Sequence, residues 1–181
     1  MRIGIDIDDT ITNTLEKLDE IAKTKENLNI YDSSKHWFYE RYNCSIEDEE
    51  KFLKKHFEEI ISTATLKKDA AYYINKLYDE GNEIYFITSR SKRYSSNIPN
   101  ITIEYLNKYN IKYTDIVFSC HNKADICMKY NIDFFIDDSE EHIQEVSKIN
   151  IKTIIIDNEC NKHVDFKRAH DWKEVYELIK I

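Results

Sequence analysis

Near its amino terminus the chain runs Gly4-Ile5-Asp6-Ile7-Asp8-Asp9-Thr10, placing three carboxylates directly after a short apolar run. Asp6 and Asp8 are two apart, and in an extended segment such residues point to the same side. Paired in that way, one carboxylate can attack as a nucleophile while the other moves protons. Thr88-Ser89 ends a second apolar run, Asp137-Asp138 ends another, and Lys123 falls between them. A hydroxyl or backbone N–H at Thr88 or Ser89 could hold a non-bridging phosphate oxygen. Several carboxylates gathered within a few ångströms repel one another, and at least one is normally forced to protonate. A hard cation with oxygen ligands relieves that repulsion, and Mg²⁺ is the expected one. With Lys123 as a second positive charge, Asp6 would stay ionised and able to attack phosphorus.

These groups meet only if the chain brings its apolar runs together. Hydrophobic pattern predicts strands over residues 2–8, 83–88, 115–119, 133–136 and 152–157. Helical spacing covers residues 68–80, 100–109, 123–130, 139–149 and 171–179, with Gly81 placed to end the first of these, Pro99 just before the second and Ser139 as an N-cap. Alternating strands and helices predict a parallel sheet covered on both faces. In such folds ligands bind beyond the carboxyl ends of the strands, where the polar residues singled out above would converge. Residues 13–65 interrupt the alternation with Glu, Lys and aromatic residues at helical spacing and no strand. The expected organisation is a three-layer, Rossmann-like α/β core made of residues 1–12 and 66–181, with a small helical cap of residues 13–65 inserted after the first strand.

Composition narrows the class. The chain has 181 residues, 41% hydrophobic and 33% charged, as expected of a globular protein. No apolar run approaches the roughly 20 residues of a membrane helix. The first residues are broken by aspartates and do not read as a signal peptide, so a cytoplasmic protein is expected. Cys44, Cys120, Cys127 and Cys160 form no CxxC pair, which favours reduced thiols over disulfides or zinc. Cys120 and His121 are adjacent, but adjacency in sequence is not a catalytic dyad. The net charge of −8, from 26 basic and 34 acidic residues, argues against a nucleic-acid polymer as partner. A small phosphorylated metabolite remains compatible, since a metal ion and a lysine can invert the local field.

The ordered set of Asp6-Ile7-Asp8-Asp9-Thr10, Thr88, Lys123 and Asp137-Asp138 resembles the four motifs of the haloacid-dehalogenase-like (HAD) phosphatases. Within them the chain is most similar to the 5′-nucleotidase and 5′(3′)-deoxyribonucleotidase branch, through the segments GIDIDDTIT, ITSR and KADICMKYNIDFFIDDS. That resemblance implies Mg²⁺-dependent hydrolysis of a phosphomonoester through an aspartyl-phosphate on Asp6, with Asp8 as acid/base partner. It also implies metal ligands from Asp6, the Asp8 carbonyl and Asp138, with Asp137 further out or reached through water. A nucleoside or deoxynucleoside monophosphate is the implied substrate. A sugar phosphate is the nearest competitor, and a response-regulator-like phospho-acceptor or a non-catalytic binding module are readings of another class.

The remaining candidates are read less sharply. Trp37, Phe38, Tyr39 and Tyr42 offer faces on which a base could stack, or serve simply as the core of the cap, with one of the four expected to face the site. Arg90, Lys92 and Arg93 form a basic cluster that could meet a phosphate at the rim, although a solvated loop is the simpler account. Asp9 and Thr10 read as turn or capping residues, and His36 and His121 as ordinary polar residues.

Overall fold

Alternation of large apolar side chains builds the sheet. In this computed structural model, which describes residues 1–120 and 122–180, His121 lies outside the described residues. The strands are β1 (Arg2–Ile5), β2 (Glu83–Ile87), β3 (Asp115–Val117), β4 (Phe134–Asp137), β5 (Lys152–Ile156) and β6 (Arg168–Ala169), in the order β3-β2-β1-β4-β5-β6 with every neighbouring pair parallel. Ile3, Ile5, Ile84, Phe86, Phe134, Ile136, Ile154 and Ile156 point to one face, where they pack on helices α4 (Ala70–Asp79) and α8 (Trp172–Lys180). Tyr85, Ile87, Phe135 and Ile155 point to the other, under α6 (Lys123–Lys129) and α7 (Glu140–Ser147). The result is the three-layer α/β arrangement expected from the sequence. Gly4 belongs to the second face, where an added Cβ would lie 3.0 Å from the Ile87 side chain and 3.1 Å from that of Phe135, so the two flanking strands close over it.

Two differences from the expected strands bear on the site. β1 ends at Ile5 rather than at residue 8. The Asp6 N–H still bonds to the Ile136 carbonyl at 2.9 Å, but the Ile7 carbonyl then accepts from the N–H groups of Ile11 and Thr12. Asp9 adopts a left-handed φ of 54°, so the acidic cluster lies on a tight turn at the sheet edge. Secondly, β6 was not anticipated, because two residues are too short to show a period.

Between β1 and β2 the chain forms α1 (Thr14–Glu26), α2 (Phe38–Arg41) and α3 (Ile46–Thr63). They share their own apolar cluster, with Ile21, Ala22, Phe38, Phe52, Leu53 and Ile60 at its centre. The chain leaves and returns at one place: the Asn13 N–H bonds to the Thr65 carbonyl at 2.8 Å, and Thr12 pairs with Leu66. Helix α5 (Ile98–Lys108) follows β2, with Pro99 in its first turn. Among the described residues no helix is long and apolar enough to cross a membrane, and all four cysteines are free thiols.

Candidate active site

Lys123 begins α6, and its Nζ lies between two carboxylates. It bonds to Asp6 Oδ1 from the end of β1 and, at 2.7 Å, to Asp137 Oδ2 from the end of β4, with only 1% of the residue exposed. Burial alone would push the ammonium pKa down, but Asp137 and Asp6 outweigh it and hold the group charged. Asp137 also accepts from the Ser139 N–H at 2.8 Å and has His142 Nδ1 at 3.1 Å. Against the effect of burial, Lys123 and His142 keep its carboxyl well below the usual range. One cation cannot satisfy the whole cluster. Asp6 is pushed up to about 7, first by burial and then by Asp137 and Asp8, with Lys123 pulling the other way. Asp138 is raised as well, by burial and then by Asp137, Asp9 and Asp6.

Asp6, Asp137 and Asp138 each offer one oxygen, all within 4.8 Å of one another and all buried. A buried, all-oxygen donor set with more carboxylates than cations fits a small hard divalent metal. Asp138 is fixed from two sides. The Thr10 hydroxyl donates to its Oδ1 at 3.2 Å, and Asn158 Nδ2 donates to its Oδ2 at 2.9 Å. Asn161 Nδ2 donates to the Asp138 carbonyl at 2.8 Å, while its own Oδ1 accepts from Arg168 at 2.6 Å. Sequence reasoning missed Asn158, Asn161, His142 and the contact of Thr10. For Asn158 a signal existed, because it follows β5 at the same carboxyl edge that collects the other groups.

Asp8 has partners of its own, and around it the structure corrects the reading of Arg90. Arg90 is not in a solvated loop: it is buried, and its guanidinium grips Asp8 through Nη2 to Oδ1 at 2.7 Å and Nε to Oδ2 at 2.9 Å. The Thr14 hydroxyl adds a bond to Asp8 Oδ1 at 2.7 Å. Desolvation works to raise the Asp8 pKa, but the Arg90 charge, with its hydrogen bonds and that of Thr14, leaves the carboxyl below its ordinary value. Lys92 and Arg93 do sit at the surface. Thr88 is fully buried, and its hydroxyl accepts from the Arg90 N–H at 3.1 Å. Ser89 is exposed and donates to the Cys120 carbonyl at 3.0 Å.

The aromatic residues of the insertion separate by environment. Phe38 stacks on Phe52 with ring centroids 4.5 Å apart, and Tyr42 is buried with its hydroxyl on Asp19. Tyr39 is half-buried, with its N–H on Glu49. Trp37 alone of the four is largely exposed, at 51%, and with His36 it lines a groove of about 260 Å³ that also contains Asp138, Ser139, Glu141 and Gln144. The loop bearing Trp37 is tied down by Arg41, which pairs with Asp19 at 2.5 Å and donates to the Ser33 and Lys35 carbonyls.

Comparison with known proteins agrees with this geometry. The family described as 5′ nucleotidase, deoxy (pyrimidine), cytosolic type C protein matches residues 1–181. The chain belongs to that family. It is thus an enzyme of the HAD-like hydrolases, a phosphatase of the nucleotidase kind. A nucleotidase of Clostridium acetobutylicum is 28% identical over 99% of this chain and 93% of its own length. The crystal structure of a predicted phosphatase from the same organism superposes with a TM-score of 0.70 at 19% identity, over 99% of this chain and 97% of that one. A haloacid dehalogenase-like hydrolase from Streptococcus pneumoniae gives 0.69 at 14% identity, over 98% and 97%. At those identities the structural likenesses speak for the fold.

Proposed function

We propose that this enzyme hydrolyses nucleoside or deoxynucleoside monophosphates in the cytoplasm, using Mg²⁺ and an aspartyl-phosphate on Asp6. The observation that carries the reading is the buried Lys123 bridging Asp6 and Asp137 beside Asp138, at the carboxyl edge of the sheet. Asp6, Asp138 and Asp137 would hold the metal with the Asp8 carbonyl. The bound ion would screen the carboxylates from the incoming phosphate dianion.

The remaining chemistry belongs to the chain's own groups. A carboxylate oxygen of Asp6 attacks phosphorus as the bond to the leaving oxygen breaks, and Asp8 gives that oxygen a proton. Asp8, now ionised, takes a proton from water, which attacks the phosphoryl group, releases phosphate and restores Asp6. Asp8 rests as the anion under Arg90, the form required for the second step. The nearby charge of a bound phosphate dianion favours the protonated form required for the first. Thr88, Ser89 and Lys123 are the groups available to the non-bridging oxygens. Residues 13–65 act as a cap over the site. The exposed Trp37 ring in the Asp138 groove supports a leaving group that carries a flat aromatic base, and hence a nucleotide over a sugar phosphate.

The test is phosphate release from a panel of nucleoside monophosphates and sugar phosphates, with and without Mg²⁺, beside Asp6→Asn. Metal-dependent turnover of nucleotides that vanishes in the variant is expected. Turnover of sugar phosphates alone would keep the mechanism and refute the substrate. A folded protein that turns over nothing, or that keeps a long-lived phosphoryl group, would refute the enzyme reading in favour of a binding or phospho-acceptor role.

A further inference from the structure

Arg90 is buried with all three of its donor nitrogens assigned. Nε and Nη2 hold the two oxygens of Asp8, and Nη1 donates to the Thr102 hydroxyl of α5 at 3.1 Å. Thr102 spends its own proton on the Ile98 carbonyl at 2.8 Å, so its oxygen faces Arg90 as an acceptor. The Arg90 backbone is fixed as well, its N–H on the Thr88 hydroxyl and its carbonyl on the Ser119 N–H at 2.9 Å. An ion pair that buries a guanidinium under a partly exposed carboxylate is a poor way to stabilise a fold, since apolar residues of the same volume serve as well or better. A planar fork, however, fixes both the position and the plane of a carboxylate, which a lysine cannot do.

The donor count at Asp8 is unequal. Oδ1 accepts from Thr14 and from Arg90 Nη2, which uses both of its lone-pair directions. Among the described residues Oδ2 accepts only from Arg90 Nε and keeps one direction open. We infer that Arg90 is a positioning residue for the proton transfers, holding Asp8 so that Oδ2 is the oxygen that carries the proton to and from the reacting groups. The inference rests on the proposed role of Asp8. It assigns Arg90 to the acid/base carboxylate, where the sequence had offered it to the substrate.

The test uses two leaving groups. A nucleoside alkoxide cannot depart without a proton, whereas p-nitrophenolate can. In Arg90→Met, kcat for a nucleoside monophosphate should fall about 100-fold with KM changed less than about threefold, in the range of a lost acid/base contribution. Rapid mixing with p-nitrophenyl phosphate should still give a burst of p-nitrophenolate close to one per enzyme, because Asp6 is still phosphorylated while water attack is slowed. Arg90→Lys should recover part of kcat and retain the burst, since one ammonium cannot hold both oxygens. If Arg90→Met does not fold, the lysine variant carries the same comparison, with circular dichroism and the thermal midpoint as the check on folding. Equal loss of phosphorylation with both esters, a raised KM at unchanged kcat, or no loss at all would overturn the inference. A wild-type enzyme inert towards both esters would overturn the phosphatase reading and this inference together.

Discussion

Replacing Asp6 by asparagine should make the metal-free protein more stable at pH 8 while abolishing turnover. The Asp6 carboxyl titrates near 7 in the fold against 3.8 for the ordinary group, and the residue is buried. An acid whose pKa rises on folding penalises the native state wherever it is ionised. The penalty begins as pH passes the unfolded value and is complete above the folded one. Across about 3 pH units at 1.36 kcal/mol per unit, it amounts to about 4 kcal/mol at pH 8. Near pH 4 the same linkage leaves less than about 1 kcal/mol, because that pH has barely entered the window between the unfolded and folded values. Asparagine keeps the shape and carries no charge, and Lys123 keeps Asp137 as a partner. Urea unfolding in EDTA at pH 8 and pH 4 should therefore show an advantage for Asp6→Asn of about 2–4 kcal/mol at the higher pH and almost none at the lower. On the proposed metal role, saturating Mg²⁺ should shrink or reverse it, since the wild type would bind the ion more tightly and ligand binding stabilises the folded state. A variant no more stable than wild type in EDTA at pH 8 would refute the claim that these carboxylates are under-compensated without a metal.

Two further outcomes follow from the positions of Asn158 and Trp37. Asn158→Ala should weaken Mg²⁺ binding about tenfold by calorimetry, through the lost bond to Asp138 Oδ2. The same change should lower stability by about 1 kcal/mol, because the Asn158 side chain also caps the turn at Cys160 and Asn161; unchanged metal affinity would reduce Asn158 to a cap. Trp37→Ala should raise KM for a nucleoside monophosphate about tenfold, the effect of losing one base–aromatic contact. The KM for p-nitrophenyl phosphate should change much less and the thermal midpoint should hold, as the ring is half exposed. A general loss of activity would give Trp37 a structural role in residues 13–65 instead.

The parallel sheet was legible because Ile3, Ile5, Ile84, Phe86, Phe134 and Ile136 are apolar in short runs separated by helical spacing. From that pattern the carboxyl ends of the strands were expected at one edge, and the pairing of β1 with β4 is what brings Asp6, Asp137 and Asp138 together. Lys123 followed because it opens the helix after β3. β6 was not legible, since two residues carry no period and its pairing depends on where β5 lies. The exact end of β1 was also hidden, because the turn at Asp9 uses a left-handed conformation that the residue type permits without announcing it.

Arg90 shows where local pattern stops. As part of a run of basic residues between apolar segments it reads as a solvated loop, and its neighbours Lys92 and Arg93 do lie at the surface. What buries Arg90 is a carboxylate 82 positions earlier in the chain and a hydroxyl on α5. Asn158 likewise reaches Asp138 across 20 positions. Sorting the aromatic residues of the insertion required the packing of α1, α2 and α3, which puts Phe38 and Tyr42 inside and leaves Trp37 on the groove. By itself, then, the sequence determined the candidate groups and the sheet edge that gathers them, because residue type and hydrophobic period are local properties. Only the tertiary structure decided which side chains hold those groups in place, because burial and pairing of a long polar side chain depend on partners distant in the chain.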